Sequence, residues 1–448
     1  MKEKTSRLGI KYVVLLYVLM MLAKLAMEHA YISFLTADKI TYPLDFSTSK
    51  YLYGMVWLTI MFACIRHDCR RASTFLLEFF YFMNFIPVTI IYALQNESTV
   101  YYTCICLAMT ICEVLVQLLK NVKINFTIRH WDKIIIAGGI LLLLVFIVIA
   151  YKNNGLPTTK ALNLYDVYEL RASGLYKTGK YIRYIQSLLI FVVIPILITM
   201  FVREKKYVLA IIIYGMEFVI YLYEGQKTFL FTGMMVFVIT WWADRKNFEK
   251  EFWTLFLSGI TLISVFLQNG IIYKFFTFIV RRVLFVSANN KFKYYDFFSN
   301  YPKEGWAGIF PTWLIPIASH YGSGYPNHYS FRIAKIYYNA PEMQSNTGFL
   351  AEGYLRWGYI GIFMSFILFA LVLSYVDGVE SRTSYAFALG CSISMIFSLA
   401  DGYLISTLLF GKFTIWFLIL FFYRTTRSEY SLKVNRKKSY STQLRDEL

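Results

Sequence analysis

The chain has 448 residues, of which 58% are hydrophobic, 19% aromatic and only 16% charged, with a net charge of +18. A soluble domain carries about a quarter of its residues as charged side chains, so this composition excludes an ordinary soluble fold. The apolar stretches are continuous rather than alternating, which excludes a membrane β-barrel, and the positive balance is spread over short loops rather than gathered into a nucleic-acid patch.

In chain order, apolar runs near 8–28, 50–65, 74–95, 99–119, 133–151, 184–202, 206–223, 228–243, 252–270, 357–376, 384–400 and 403–423 approach or exceed the length that crosses the hydrocarbon core. They predict an all-α polytopic membrane protein of about twelve spans, in one transmembrane domain over 1–448. Lys2, Lys4 and Arg7 precede the first run, which continues past a signal peptide's length and reads as an uncleaved span. Short loops with Arg66, Arg70 and Arg71, and with Arg203, Lys205 and Lys206, alternate with short loops almost empty of Lys and Arg. That asymmetry predicts cytoplasmic N- and C-termini, the latter on a basic tail over 424–448. Cys64, His67 and Cys69 lack a second ligand group nearby and read as a span end, not a metal site.

This orientation puts two long stretches, 152–183 and 271–356, on the outer side, and both carry Lys and Arg. Within the first, Arg171 follows Tyr165, Asp166, Tyr168 and Glu169. A guanidinium there either grips a phosphate with its two-donor fork or pairs with Asp166 or Glu169. Glu224-Gly225-Gln226-Lys227-Thr228 turns between two spans, and Lys227 either binds an anion or snorkels to the interface. In 271–286, Lys274 and Arg281 share a helical face with Arg282 beside them, opposite an apolar face, as in an interfacial helix. Further along lie Tyr294, Tyr295, Asp296, His320 and Arg332, in a stretch rich in Tyr, Asn and Gly. Such residues suit sugar rings and hydroxyls, and equally suit a packed cap over the bundle. Glu352 and Arg356 stand i,i+4 in the stabilising order beside Tyr354, either as a structural pair or as a carboxylate and cation at the mouth of the bundle.

Four of these segments, VYELR (167–171), EGQKTFLF (224–231), the RR…KYYDFFSNYP stretch (281–302) and NTGFLAEGYLRWGYIGIF (346–363), resemble in order and topology the Wzy-type oligosaccharide repeat-unit polymerases of bacterial capsule and O-antigen assembly. Lys227 stands where that family often has Arg, which keeps the charge and loses the bidentate fork. The resemblance implies a GT-C-like fold in the bacterial inner membrane and transfer of a glycan from undecaprenyl pyrophosphate to another lipid-linked repeat unit, with no metal, cofactor or nucleotide sugar. It further implies membrane lipid, a flippase and a chain-length regulator as partners, and no nucleic acid. On that reading Arg171, Lys227, Arg281 and Arg282 face phosphate, with Arg332 and Arg356 behind them. Glu352 or His320 accepts the acceptor's proton, and Tyr294, Tyr295 and Tyr354 line the sugar path. An O-antigen-ligase-like transferase and a lipid-linked oligosaccharide flippase are the alternatives. The latter calls for charges deep in the spans, for which Lys24, Glu113 and Glu217 are candidates.

Overall fold

The computed structural model describes residues 9–67, 70–119, 128, 130–157, 161, 180–307, 309–310, 329–341 and 343–423. Every regular element among them is helical, and no strand occurs among them. The chain is a polytopic helical membrane protein. Among the described residues, seven helices are long and apolar enough to cross a bilayer. These are α1 (Ile10–Leu35), α3 (Ala72–Leu94), α4 (Thr99–Leu118), α5 (Trp131–Asn154), α6 (Ile182–Arg203), α7 (Tyr207–Glu224) and α13 (Phe349–Arg382). Three shorter apolar helices are α8 (Lys227–Trp242), α14 (Tyr385–Ser398) and α16 (Lys412–Phe421). The remaining helices are α2 (Thr48–Cys64), α9 (Phe248–Val265), α10 (Gly270–Phe276), α11 (Val286–Asn300), α12 (Tyr329–Tyr338) and α15 (Ile405–Phe410). Between α10 and α11 the chain stays wound, in a widened π-helical stretch over Thr277–Phe285.

The described residues fall into two compact units, the first drawn from 1–120, 245–374 and 395–413 and the second from 121–244, 375–394 and 414–448. In the first, α1 lies along α9, and α2 packs on α3 and α4. Inside this packing Lys24 pairs with Glu28, and Tyr51 donates to the same carboxylate at 3.3 Å. A buried charge is tolerable only with such company. His67 sits between two acceptors, the Glu78 carboxylate at 2.7 Å and the Phe62 carbonyl at 2.8 Å, while Trp253 donates to Glu78 at 2.7 Å. The expected span-end reading of Cys64 and His67 fits this geometry, and Cys69 lies outside the described residues.

Two spans contain a proline, and both solve the lost hydrogen bond in the same way. A π-helical turn, Tyr81–Phe85 in α3 and Leu189–Val193 in α6, directly precedes the segment carrying Pro87 or Pro195. Proline has no N–H and crowds the carbonyl four residues back, and a wider turn relieves that crowding. In the second unit the Phe191 carbonyl, which Pro195 cannot serve, accepts from the Ser394 hydroxyl at 3.0 Å. The same unit packs α6 against α7 and α8. Arg382 there donates to the Phe421 and Leu420 carbonyls at 2.8 and 3.2 Å, which satisfies the exposed end of α16.

Two expected spans are not single rods. The predicted run 357–376 belongs to α13, which starts eight residues earlier and breaks at Trp357 and Gly358, where Gly358 takes φ +64° and ψ −144°. Only glycine adopts that backbone readily. The break folds the first turns of α13 back so closely that a Cβ at Gly353 would lie 2.5 Å from the Gly361 carbonyl oxygen. The predicted run 403–423 divides at Gly411 into α15 and α16, and glycine is needed at the division because a Cβ there would meet the Thr407 backbone at 2.5 Å. We expect Gly353→Ala to lower the melting temperature in detergent, by the ~1–3 kcal/mol typical of overpacking. Gly138→Ala, where a Cβ would meet nothing within 4 Å, should leave it unchanged or raised, and the two melts check this.

Candidate functional site

One polar stripe on α11 organises the first unit's polar interior. Ser287, Asn290, Lys291 and Tyr294 recur at i, i+3, i+4 and i+7, so they share a face, and each is buried. Tyr294 donates to the Ser345 carbonyl at 2.7 Å, and Asn290 donates to the Asn346 carbonyl at 2.5 Å. Ser287 donates to the Ala400 carbonyl at 2.7 Å. The Lys291 ammonium points at the Ser287 hydroxyl (2.7 Å), the Ser287 carbonyl (3.2 Å) and the Ala400 carbonyl (3.4 Å). The stripe thus holds two irregular segments, 343–348 and 399–404, against one helix. Gly348 lets them meet, since a Cβ there would lie 2.3 Å from the Ala400 carbonyl oxygen.

Between the two segments lies a recess of about 230 Å³. Ser330, Gln344, Asn346 and Thr347 form one side, and Asp401, Gly402 and Tyr403 the other. Tyr329 donates to the Tyr403 hydroxyl at 2.8 Å and braces that side. The Thr347 hydroxyl and the nearby Ser345 hydroxyl are buried without a hydrogen-bond partner among the described residues. Asp401 touches solvent at the recess, yet the protein crowds it. Lost hydration lifts its carboxyl above the ordinary range, while Lys291, Arg282 and the Ser287 hydroxyl pull it back. Burial pushes the Lys291 ammonium down to about 8, against the pull of Asp401.

None of the described sequence-predicted residues lines this recess. Glu352 is 0% exposed and its carboxylate is fully engaged: it accepts from Arg356 Nε at 3.1 Å, from Ile405 N at 3.0 Å and from Ser406 N at 3.4 Å. Arg356 also donates to the Gly305 and Ala307 carbonyls at 3.1 and 2.9 Å. The expected i,i+4 pair therefore forms, and it straps α13 to the start of α15 and to the 304–307 loop. Arg281 lies 3.9 Å from Asp38 and 5.7 Å over the Tyr42 ring. Arg282 is exposed, and its charge reaches both Asp401 and Tyr42. Tyr294 braces the 345 segment rather than facing open space. Tyr295 stacks on Tyr101 at 4.6 Å, packs 4.8 Å from Tyr354 and shares a hydrogen bond with the Tyr359 hydroxyl at 3.1 Å. Lys303 sits 4.2 Å over the Tyr354 ring, and Arg332 sits 5.6 Å over Tyr301. Lys227 belongs to the second unit, as the first residue of α8 after Gly225 in the left-handed conformation. Arg171 and His320 lie outside the described residues.

Sequence reasoning missed Lys291, Asp401 and the recess. The signal for Lys291 was present as a polar i, i+3, i+4, i+7 stripe following the amphipathic stretch 271–286. Asp401 precedes Gly402 between two apolar runs, and nothing in the local sequence announces that this turn closes on 343–348. Among the described residues no three His, Cys, Asp or Glu side chains gather as a metal site requires. No family model matches the chain, and the searches of curated proteins and of solved structures likewise return no match.

Two outcomes test this architecture. Arg356→Ala leaves the Glu352 carboxylate buried without its cation and should destabilise the chain by ~3–5 kcal/mol, with the Glu352→Gln/Arg356→Met double variant less affected. Denaturation in detergent measures both. The lowered Lys291 pKa has a definite sign. Between about 8 and 10.5 the unfolded chain still holds a proton that the folded chain has released, so stability climbs with pH across that window. Lys291→Met should remove that climb from the pH profile.

Proposed function

We propose that the chain is a glycosyltransferase that polymerises lipid-linked oligosaccharide repeat units at the outer face of the bacterial inner membrane. On this reading it is GT-C-like, with about twelve crossings and cytoplasmic termini, the broken and shorter helices completing the count. Its substrates are undecaprenyl-pyrophosphate-linked glycans, and a flippase and a chain-length regulator are its neighbours in the membrane. The observation that carries the reading is the placement of a carboxylate, Asp401, in a polar recess within the electrostatic reach of Lys291 and Arg282.

In the reaction, an acceptor hydroxyl oxygen attacks the anomeric carbon of the donor sugar. The bond between that carbon and the phosphate oxygen breaks, and the lipid pyrophosphate leaves with the electron pair. Asp401 takes the hydroxyl proton, a role for which a carboxyl lifted above its ordinary range is suited. Arg281 and Arg282 stabilise the charge that develops on the phosphates, as preorganised donors do at other anionic transition states. Lys227 and Arg171 keep the phosphate role that the family resemblance implies. Glu352 and Arg356 act here as positioning residues, since their polar groups already hold α15 and the 304–307 loop. Tyr295 and Tyr354, with Arg332 and Tyr301, offer ring faces along which a glycan can lie.

Purified protein given a lipid-pyrophosphate-linked repeat unit should yield a ladder of longer products. Asp401→Asn should slow ladder growth by about 10²–10⁴-fold, the usual worth of a positioned general base. Arg282→Ala should slow it by about 10²–10³-fold, with partial recovery in Arg282→Lys. Gel analysis of the products reads all three. Absence of any ladder in the wild-type chain defeats the polymerase reading, and an unchanged ladder in both variants defeats the site.

A further inference from the structure

We propose that the recess between 344–347 and 401–403 seats one uncharged sugar ring and turns away an acidic one. The identification of the ligand as a sugar rests on the glycan-transfer reading above; the discrimination by charge rests on the recess itself. Its volume of about 230 Å³ falls below the roughly 300–1,000 Å³ of sites for drug-sized ligands, which suits a single ring. Its described lining is polar, with hydroxyls, two amides and one carboxylate. Thr347 is 1% exposed, lines the recess and has a hydroxyl with no partner among the described residues, as has Ser345 two residues before it in the wall segment. Buried polar groups left without partners are uncommon and costly, so these hydroxyls call for a ligand that both donates and accepts hydrogen bonds. An apolar ligand would leave them unsatisfied.

Discrimination by charge follows from where the cations go. Asp401 is the one formally charged side chain among the described residues that line the recess. Lys291 stands nearby, but its ammonium is directed at Ser287 and Ala400, outside the lining. Arg282 acts on Asp401 through its field and is likewise absent from the lining. Asp401 can accept hydrogen bonds from a neutral sugar's hydroxyls. A uronic acid would bring a second carboxylate against it with no cation among the described lining residues to offset the repulsion, and specificity is commonly built from such a repulsive element.

The experiment uses the full chain in lipid nanodiscs, with a panel of methyl glycosides of neutral hexoses and their uronic-acid counterparts, followed by saturation-transfer NMR at neutral pH. We expect at least one neutral glycoside to bind saturably and its uronide to fail. Thr347→Val should weaken the neutral ligand about tenfold, and Thr347→Ser should retain it. Asp401→Asn should let the uronide bind. Melting curves confirm that each variant is folded. Equal binding of neutral and acidic glycosides, no saturable glycoside binding at all, or full binding by folded Thr347→Val overturns the inference. A chain that builds the product ladder yet shows no charge discrimination loses this inference and keeps the polymerase reading. A chain that discriminates but builds no ladder does the reverse.

Discussion

A lysine ammonium removed from water must find an acceptor for each of its protons or give one up, and the first unit is arranged around that demand. Lys291 reaches two oxygens of Ser287 on its own helix and the carbonyl of Ala400 more than a hundred residues later. The third contact fixes the turn that carries Asp401. Asn290 and Tyr294, on the same stripe, fix the opposing segment through the carbonyls of Asn346 and Ser345. Each contact alone contributes modestly. Together they set the separation of two segments that have no regular structure of their own, and that separation is the recess. The Glu352–Arg356 strap works in the same manner one layer away, holding the start of α15 through two backbone N–H groups.

Irregular backbone is expensive in an apolar helical protein, because each freed N–H and C=O needs a partner. The chain confines it to places where a partner is built in. Proline in α6 frees the Phe191 carbonyl, and Ser394 occupies it. Arg382 occupies the last carbonyls of α16. The breaks at Gly358 and Gly411 and the stretches 343–348 and 399–404 all fall in the first unit, where α11, α12 and the Glu352–Arg356 strap supply the polar groups. Discontinuity and polar side chains therefore occur together, as they do where a membrane protein handles a hydrophilic ligand.

Hydropathy alone located the seven bilayer-length helices among the described residues, because an apolar run of that length has few other solutions. The Glu352–Arg356 pair was legible too, since i,i+4 spacing fixes a contact within one helix. The breaks were harder to read. Gly358 is required by its left-handed backbone and Gly411 by the close approach of the Thr407 backbone, and sequence displays neither. The recess was harder still. Lys291 and Asp401 are about a hundred residues apart, and each looks ordinary locally, one as a loop lysine and the other as a turn aspartate. What joins them is the side-by-side seating of α11 with the 343–348 and 399–404 segments, a tertiary fact. The expectation that Glu352 would be the reactive carboxylate came from its position in a resembling segment; the burial that commits it to Arg356 and to α15 could not be seen there.

On the glycan-transfer reading, the placement of charge resolves a problem inherent in the chemistry. Donor and acceptor are both sugars at one end and pyrophosphates at the other, so a site with cations throughout would bind either molecule in either direction. A recess whose charged side chain is a carboxylate, with arginines outside it, favours the sugar end within and the phosphate end without. The arrangement also explains why a buried lysine acts on Asp401 through its field without lining the recess. Lys291 opposes the upward pull of lost hydration on the carboxyl, while its own protons stay committed to Ser287 and Ala400. Were that ammonium turned into the recess, it would pair with Asp401 directly and occupy the carboxylate that the proposed proton transfer needs.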